Sequence, residues 1–340
     1  MAGVWYVYVA ECIIAFVLSN AALMATGWTT SVMAAPDFNV TGFMLLDILV
    51  VFFRDAYESW ASRAMLEAVL SMATAAIFSF VAEGSRRRCS VRQGAVGSLA
   101  LVGQFLGVGA VLPGFLAMLN QSKPKQIPEG EPVHEIHVMR AFYNLGCALS
   151  LLLLGFILVP LTTDELPGGT PNPVVTIIMI LAPAVPPLAY AFDKTSRGDF
   201  PTHNPREQRL SDREIAHYVV MATCVITAVL GLYSHIRFIG TMLFYDTPVE
   251  FWADILENPA ALFLLVDETF LILACYTWLH FEALKPANIE AGRKEDTSRL
   301  LSFADVLAIC AFGPTTHFSI AFAGREYGLM KLDNLRAKNS

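Results

Sequence analysis

Hydrophobic and polar positions alternate along this chain on the scale of whole helices. Apolar blocks run at roughly 4–25, 42–54, 64–83, 94–118, 138–160, 173–192, 215–237, 259–281 and 302–323, with polar or charged segments between them. Most blocks hold about 20 residues, the length a helix needs to cross roughly 30 Å of hydrocarbon. In lipid only helices and closed barrels satisfy their own backbone. Barrel strands are about half as long and alternate with a period of two, which these blocks do not, so helices are predicted. The block 42–54 is short and interrupted by Asp47. A short span, an interfacial helix and a re-entrant piece all fit it. The expectation is an all-α, polytopic integral membrane helix bundle with 8–9 transmembrane helices, forming a single transmembrane domain over residues 1–340. In block 173–192, Pro183, Pro186 and Pro187 each remove a backbone donor and crowd the preceding turn, so that helix must kink or break. No internal repeat is visible, so the inverted-repeat signature of many transporters is missing.

Composition agrees with this pattern. The 340 residues are 55% hydrophobic and 16% charged, against about a quarter charged in soluble domains. Mean hydropathy is +0.52. A soluble enzyme is excluded. The net charge of −7 argues against a nucleic-acid partner, because phosphate binding needs a basic face. The six cysteines show neither CxxC nor disulfide-framework spacing, and most read as small core residues. Met1 to Thr26 lacks a basic leading segment and carries Glu11, so it reads as a retained first span and not as a cleaved signal peptide. With nine helices, the segments 54–63, 119–137, 194–213 and 284–299 share one side and hold 13 basic residues, against 9 on the other. That balance favours a cytosolic N-terminus, in the endoplasmic reticulum membrane. Two glycosylation sequons occur, at Asn39 and Asn120. They fall on opposite sides if 42–54 spans, and the charge balance makes Asn39 the lumenal, glycosylated one.

Ionisable residues inside apolar blocks carry the chemistry. A charge at the bilayer centre costs about 2.5–3.5 kcal/mol on insertion scales, so such groups face the bundle interior. His137, Arg140, His217, His235 and Asp305 lie near block ends and read as solvated helix ends. Glu67 follows Arg63 by four residues, the spacing of a structural ion pair. Asp267 and Glu268 stand about eight residues into a long apolar helix. Adjacent helical positions point about 100° apart, and Asp267 shares its face with Phe263, Phe270, Ala274 and Trp278. Two carboxyls this close in low dielectric repel, so one is expected to keep its proton and serve as a general acid. An interhelical hydrogen-bond partner is the alternative. Glu11 shares a face with Tyr8, Ala15 and Leu18 and could line a cavity. In the last block Gly313-Pro314-Thr315-Thr316-His317 sets a kink, Asp305 and Thr316 lie nearly on one face, and His317 is either catalytic or a buried structural histidine. The candidate catalytic set is therefore Asp267, Glu268, Glu11, Asp305 and His317.

Several chemistries find no motif. HExxH, a histidine-box series, GxGxxG leading into a helix, a Walker A sequence and a DDxxD cluster are all missing. His134 and His137 form an HxxH pair without further nearby ligands. No cofactor or metal is expected, and a terpenoid substrate would be activated by protonation, not by loss of diphosphate. The segment Glu83-Gly84-Ser85-Arg86, the next block with Gln104 and Pro113, and the last block with Gly313-Pro314 followed by Arg325-Glu326 together resemble the fungal integral-membrane terpene cyclases of meroterpenoid clusters, the ascochlorin and ascofuranone type. The resemblance implies cofactor-free cyclisation of a farnesylated phenol with an epoxidised terminal alkene. The partners would then be a lipophilic prenylated small molecule and the bilayer through which it enters. Acids within the membrane would also suit a proton-coupled transporter or a sterol-type isomerase, and these alternatives stay open.

Overall fold

The computed structural model describes residues 2–33, 43–86, 102–103, 106–121, 134–136, 138–158, 161, 172–181, 206–283 and 302–339. Asn39, His137, Gln104, Cys89, Pro183, Pro186 and Pro187 lie outside the described residues. All named elements among the described residues are helices, and the one β-type contact is an isolated bridge between Arg86 and Ile136. In chain order they are α1 (Ala2–Ala25), α2 (Trp28–Met33), α3 (Met44–Ala56), α4 (Trp60–Gly84), α5 (Val108–Gln121), α6 (Val138–Leu151, continued by a π-helical turn to Leu158), α7 (Pro173–Leu181), α8 (Arg206–Phe244), α9 (Pro248–Glu257), α10 (Pro259–Trp278, continued to Ala283), α11 (Phe303–Phe312) and α12 (Pro314–Asn339).

Five of these, among the described residues, are long and apolar enough to cross a membrane: Trp5–Ala25, Trp60–Gly84, Val138–Leu158, Glu214–Phe244 and Pro259–Phe281. The apolar block 42–54 becomes α3, whose 13 residues rise only about 20 Å. It falls short of a full span. Block 94–118 is described from its second half, as a shorter apolar helix, Val108–Leu119. The last block is two helices. Gly313 adopts φ +86°, Pro314 follows it, and the helix breaks there.

Start signals explain where the elements begin. Ser59 and Ser62 form a reciprocal capping box at α4, and Ser302 with Asp305 does the same at α11. Thr247 and Asn258 cap α9 and α10, each followed by a proline in the first helical turn. The centre of the bundle is α4, of which 89% of the apolar window is buried, against 28% for α1. Its sequence explains this place: Ala61, Ala64, Ala75, Ala76 and Ala82 keep it thin, so neighbouring helices approach closely. It packs against α8, α10, α6 and α12, while α1 lies against α5 and α10. Hydroxyls join α4, α8 and α12, with Ser234 donating to Ser71 at 2.9 Å and Ser71 and Thr315 3.2 Å apart. Gly231 is required at this crossing, since a Cβ there would sit 2.6 Å from Thr315.

Candidate functional site

Asp267 is buried in α10 and faces the backbone at the start of α5. Its Oδ1 accepts the backbone N–H of Gly109 at 2.8 Å, in the first turn of α5. The chain entering α5 passes so close that a Cβ on Gly107 or Gly109 would collide with Asp267. A carboxylate on the unpaired donors of a helix N-terminus is a capping interaction. Of its expected face, Phe263 packs edge-on against Phe52, while Trp278 stacks with Phe322 nearly three turns away. Glu268 points elsewhere, is buried, and has an Oε2 with no partner among the described residues. Glu11 is also buried, accepts Thr277 Oγ1 at 3.1 Å and leaves its own Oε2 unpartnered.

Asp305 and Thr316 do not share a face, because the break at Gly313 turns α12 away from α11. Thr316 instead donates to the carbonyl of Ala228 at 3.0 Å. Asp305 meets His317 (Oδ1 to Nε2, 3.3 Å), and His317 Nδ1 lies 3.0 Å from Tyr276 Oη. The three form a chain from a half-exposed carboxyl to a buried phenol, which also donates to the carbonyl of Pro314 at 3.0 Å. Tyr276 had no sequence signal beyond its place in an apolar helix. In the first turns of α4, Glu67 pairs with Arg63 at 3.2 Å as its spacing predicts, and Arg237 joins them at 3.3 Å.

The densest constellation was not among the candidates. Arg86 Nε donates to Glu83 Oε1 at 2.6 Å, and Arg86 Nη2 donates to Glu326 Oε2. Arg325 grips Glu83 with two bonds of 2.6 and 3.0 Å. His217 Nδ1 lies 2.6 Å from Glu326 Oε1, and its Nε2 is buried with no partner among the described residues. The end-of-block reading of His217 as solvated is corrected here: it is fully buried. The reason is that α8 starts before its apolar block, at Arg206, and carries His217 inside the bundle. Arg325 also lies over the Trp278 ring, 5.0 Å from its centroid, a cation–π contact. Backbone completes the shell, as Arg86 Nη1 donates to the carbonyl of His134 at 3.0 Å, whose N–H donates to Asp333 at 3.1 Å.

Two carboxylates face two guanidinium groups, so the four charges balance and the site can stay dry. Burial alone would raise the pKa of Glu326. Arg86 and His217 outweigh it and hold this carboxyl down at about 2. Glu326 is thus an anion that orients an imidazole, the arrangement of acid–base dyads.

Next to this cluster lies a cavity of about 10 Å³ between α4, α6, α8 and α12. Ser79, Asn144, Thr223 and Thr227 supply polar lining, and Phe78 and Phe322 aromatic lining. On three helices the lining residue is one turn from a cluster residue: Ser79 from Glu83, Val220 from His217, Phe322 from Glu326. A sequence signal for the cluster did exist. Opposite charges sit at the ends of two apolar blocks, and Glu83, Arg86, Arg325 and Glu326 are the charged residues that carry the cyclase resemblance. No protein-family model, no curated protein and no solved structure matches this chain.

Proposed function

We propose that this chain is an integral-membrane terpene cyclase that opens the epoxide of a farnesylated phenol by protonation. The observation that carries this reading is the buried dyad, His217 Nδ1 on Glu326 with an Nε2 that has no partner among the described residues, built into the cluster of residues that bear the resemblance. In this mechanism the imidazolium of His217 gives its Nε2 proton to the epoxide oxygen. The C–O bond breaks, leaving a hydroxyl and a tertiary cation, which the neighbouring alkene attacks. The final cation loses a proton to the neutral imidazole, so the dyad is restored and the reaction is an isomerisation. Glu326 orients the ring and supports its charge, and Arg86 holds Glu326. Aromatic faces stabilise such a passing cation, and exclusion of water prevents its capture. No cofactor takes part. Glu268, with its unpartnered oxygen, is the second candidate for the acid.

The same reading includes eight or nine crossings, residence in the endoplasmic reticulum and a glycan on lumenal Asn39. Endoglycosidase should shift the mobility of the expressed protein, and Asn39→Gln should abolish the shift. With nine crossings a shift that depends on Asn120 inverts the topology; with eight, where 42–54 does not cross, both sequons share one side. The activity itself is tested by expressing the chain in a fungal host free of related pathways and feeding an epoxyfarnesyl phenol. A cyclised product of unchanged mass is expected, and recovery of the epoxide alone contradicts the proposal.

A further inference from the structure

The small cavity carries a proposal of its own. Asn144 is 6% exposed, and its Nδ2 has no partner among the described residues. A buried amide donor left unpaired in a bundle costs free energy, so native structures supply such donors with an acceptor. The opposite wall has the complementary character. Thr223 Oγ1 gives its proton to the carbonyl of Val219 at 2.9 Å, and Thr227 Oγ1 gives its proton to the carbonyl of Cys224 at 3.0 Å. The Thr223 hydroxyl therefore turns lone pairs, not its proton, to the cavity, while Thr227 Oγ1 is also engaged by Ser319 Oγ at 2.9 Å. The Asn144 donor stands across from the Thr223 acceptor, and the Ser79 hydroxyl can play either role. A bare carbonyl or an anion would leave the Thr223 lone pairs without a donor. A hydroxyl satisfies both walls by accepting from Asn144 and donating to a threonine. The volume of about 10 Å³ is that of one water-sized oxygen.

We propose that this cavity is a binding site for a single hydroxyl, held between the Asn144 amide and the Thr223 oxygen. The hydroxyl comes from a resident water or from a phenol. The phenol source rests on the cyclase reading, while the site itself does not.

The test uses the purified full chain in nanodiscs, with 5-methylresorcinol as probe and its dimethyl ether as the hydroxyl-free control. Thermal shift and a high-resolution map are recorded for wild type, Asn144→Leu and Thr223→Val. The second variant keeps its shape, so a folding failure of the first leaves the test intact. Phenol as the source predicts a stabilising shift with the resorcinol, none with the ether, and affinity reduced about tenfold in either variant. Water as the source predicts no shift, but density at Asn144 in wild type that vanishes in the variants. An empty cavity in wild type, or a resorcinol shift indifferent to both substitutions, overturns the site. Failure of the cyclase reading is separable, because Asn144-dependent occupancy without turnover leaves the site standing. Turnover with an empty cavity removes the site and leaves the reading.

Discussion

Two acidic centres of this bundle solve the problem of a buried carboxyl in opposite ways. In the cluster at the end of α4, Glu83 and Glu326 each meet guanidinium groups within hydrogen-bond distance. In the middle of α10, Asp267 meets only backbone N–H at the start of α5, and Glu268 keeps one oxygen without a partner among the described residues. The first arrangement yields fixed anions that cannot donate a proton but can orient a group that does. The second splits its two residues between helix capping and an acid without a base beside it. Depth in an apolar block therefore does not identify the proton donor. In the proposed mechanism the donor is a titratable group with one atom held and another without a partner among the described residues, and His217 on the Glu326 anion has that form.

The comparison breaks most violently at Arg86. Arg86→Met leaves Glu83 with Arg325 alone and Glu326 with only His217. Breaking a buried pair on one side costs about 3–5 kcal/mol, so the variant should lose most of its folded yield, as read by size-exclusion chromatography in detergent. Replacement of Glu268 by Gln should spare accumulation and turnover, and a dead but folded Glu268→Gln would move the acid to α10. Asp267→Ala removes the cap of α5 and should lower stability by about 1–2 kcal/mol. Asp267→Asn, which keeps an acceptor for Gly109, should cost less. Equal costs, measured by thermal unfolding, would deny the capping role.

The last effect is on acid stability. The pKa of Glu326 falls from 4.5 in the unfolded chain to about 2 in the fold. A depressed carboxyl stabilises the fold fully above the unfolded value, and that stability is lost as pH falls from about 4.5 towards 2. Glu326→Gln, if it accumulates, should flatten the melting temperature across that window relative to wild type.

Much of the scaffold was legible in the order of residues. Blocks 64–83 and 259–281 became helices long enough to span because length and hydropathy suffice there. The break at Gly313-Pro314 could be read from its two residues. Block 42–54 showed its weakness in Asp47 and its short length, and α3 is short. The site was less legible. Asp267 was visibly buried, but its partner is a backbone donor 158 residues away, and backbone donors leave no mark in a sequence except the glycines that admit them. His217 looked like a solvated end because a polar group at the edge of an apolar block carries no information about which neighbour covers it. Asn144 was overlooked because a lone amide in a helix signals nothing until the opposite wall is known.

The central claim is that a proton leaves from the free Nε2 of His217. The most direct measurement is the cyclisation rate of purified His217→Gln on an epoxyfarnesyl phenol, taken beside its melting temperature. Gln is neutral and cannot serve as the acid, while its amide can still donate to Glu326. The account predicts a melting temperature near that of wild type and a rate lower by about 10²–10⁴-fold, the usual contribution of a general acid. A folded His217→Gln protein that cyclises the substrate at the wild-type rate would contradict it.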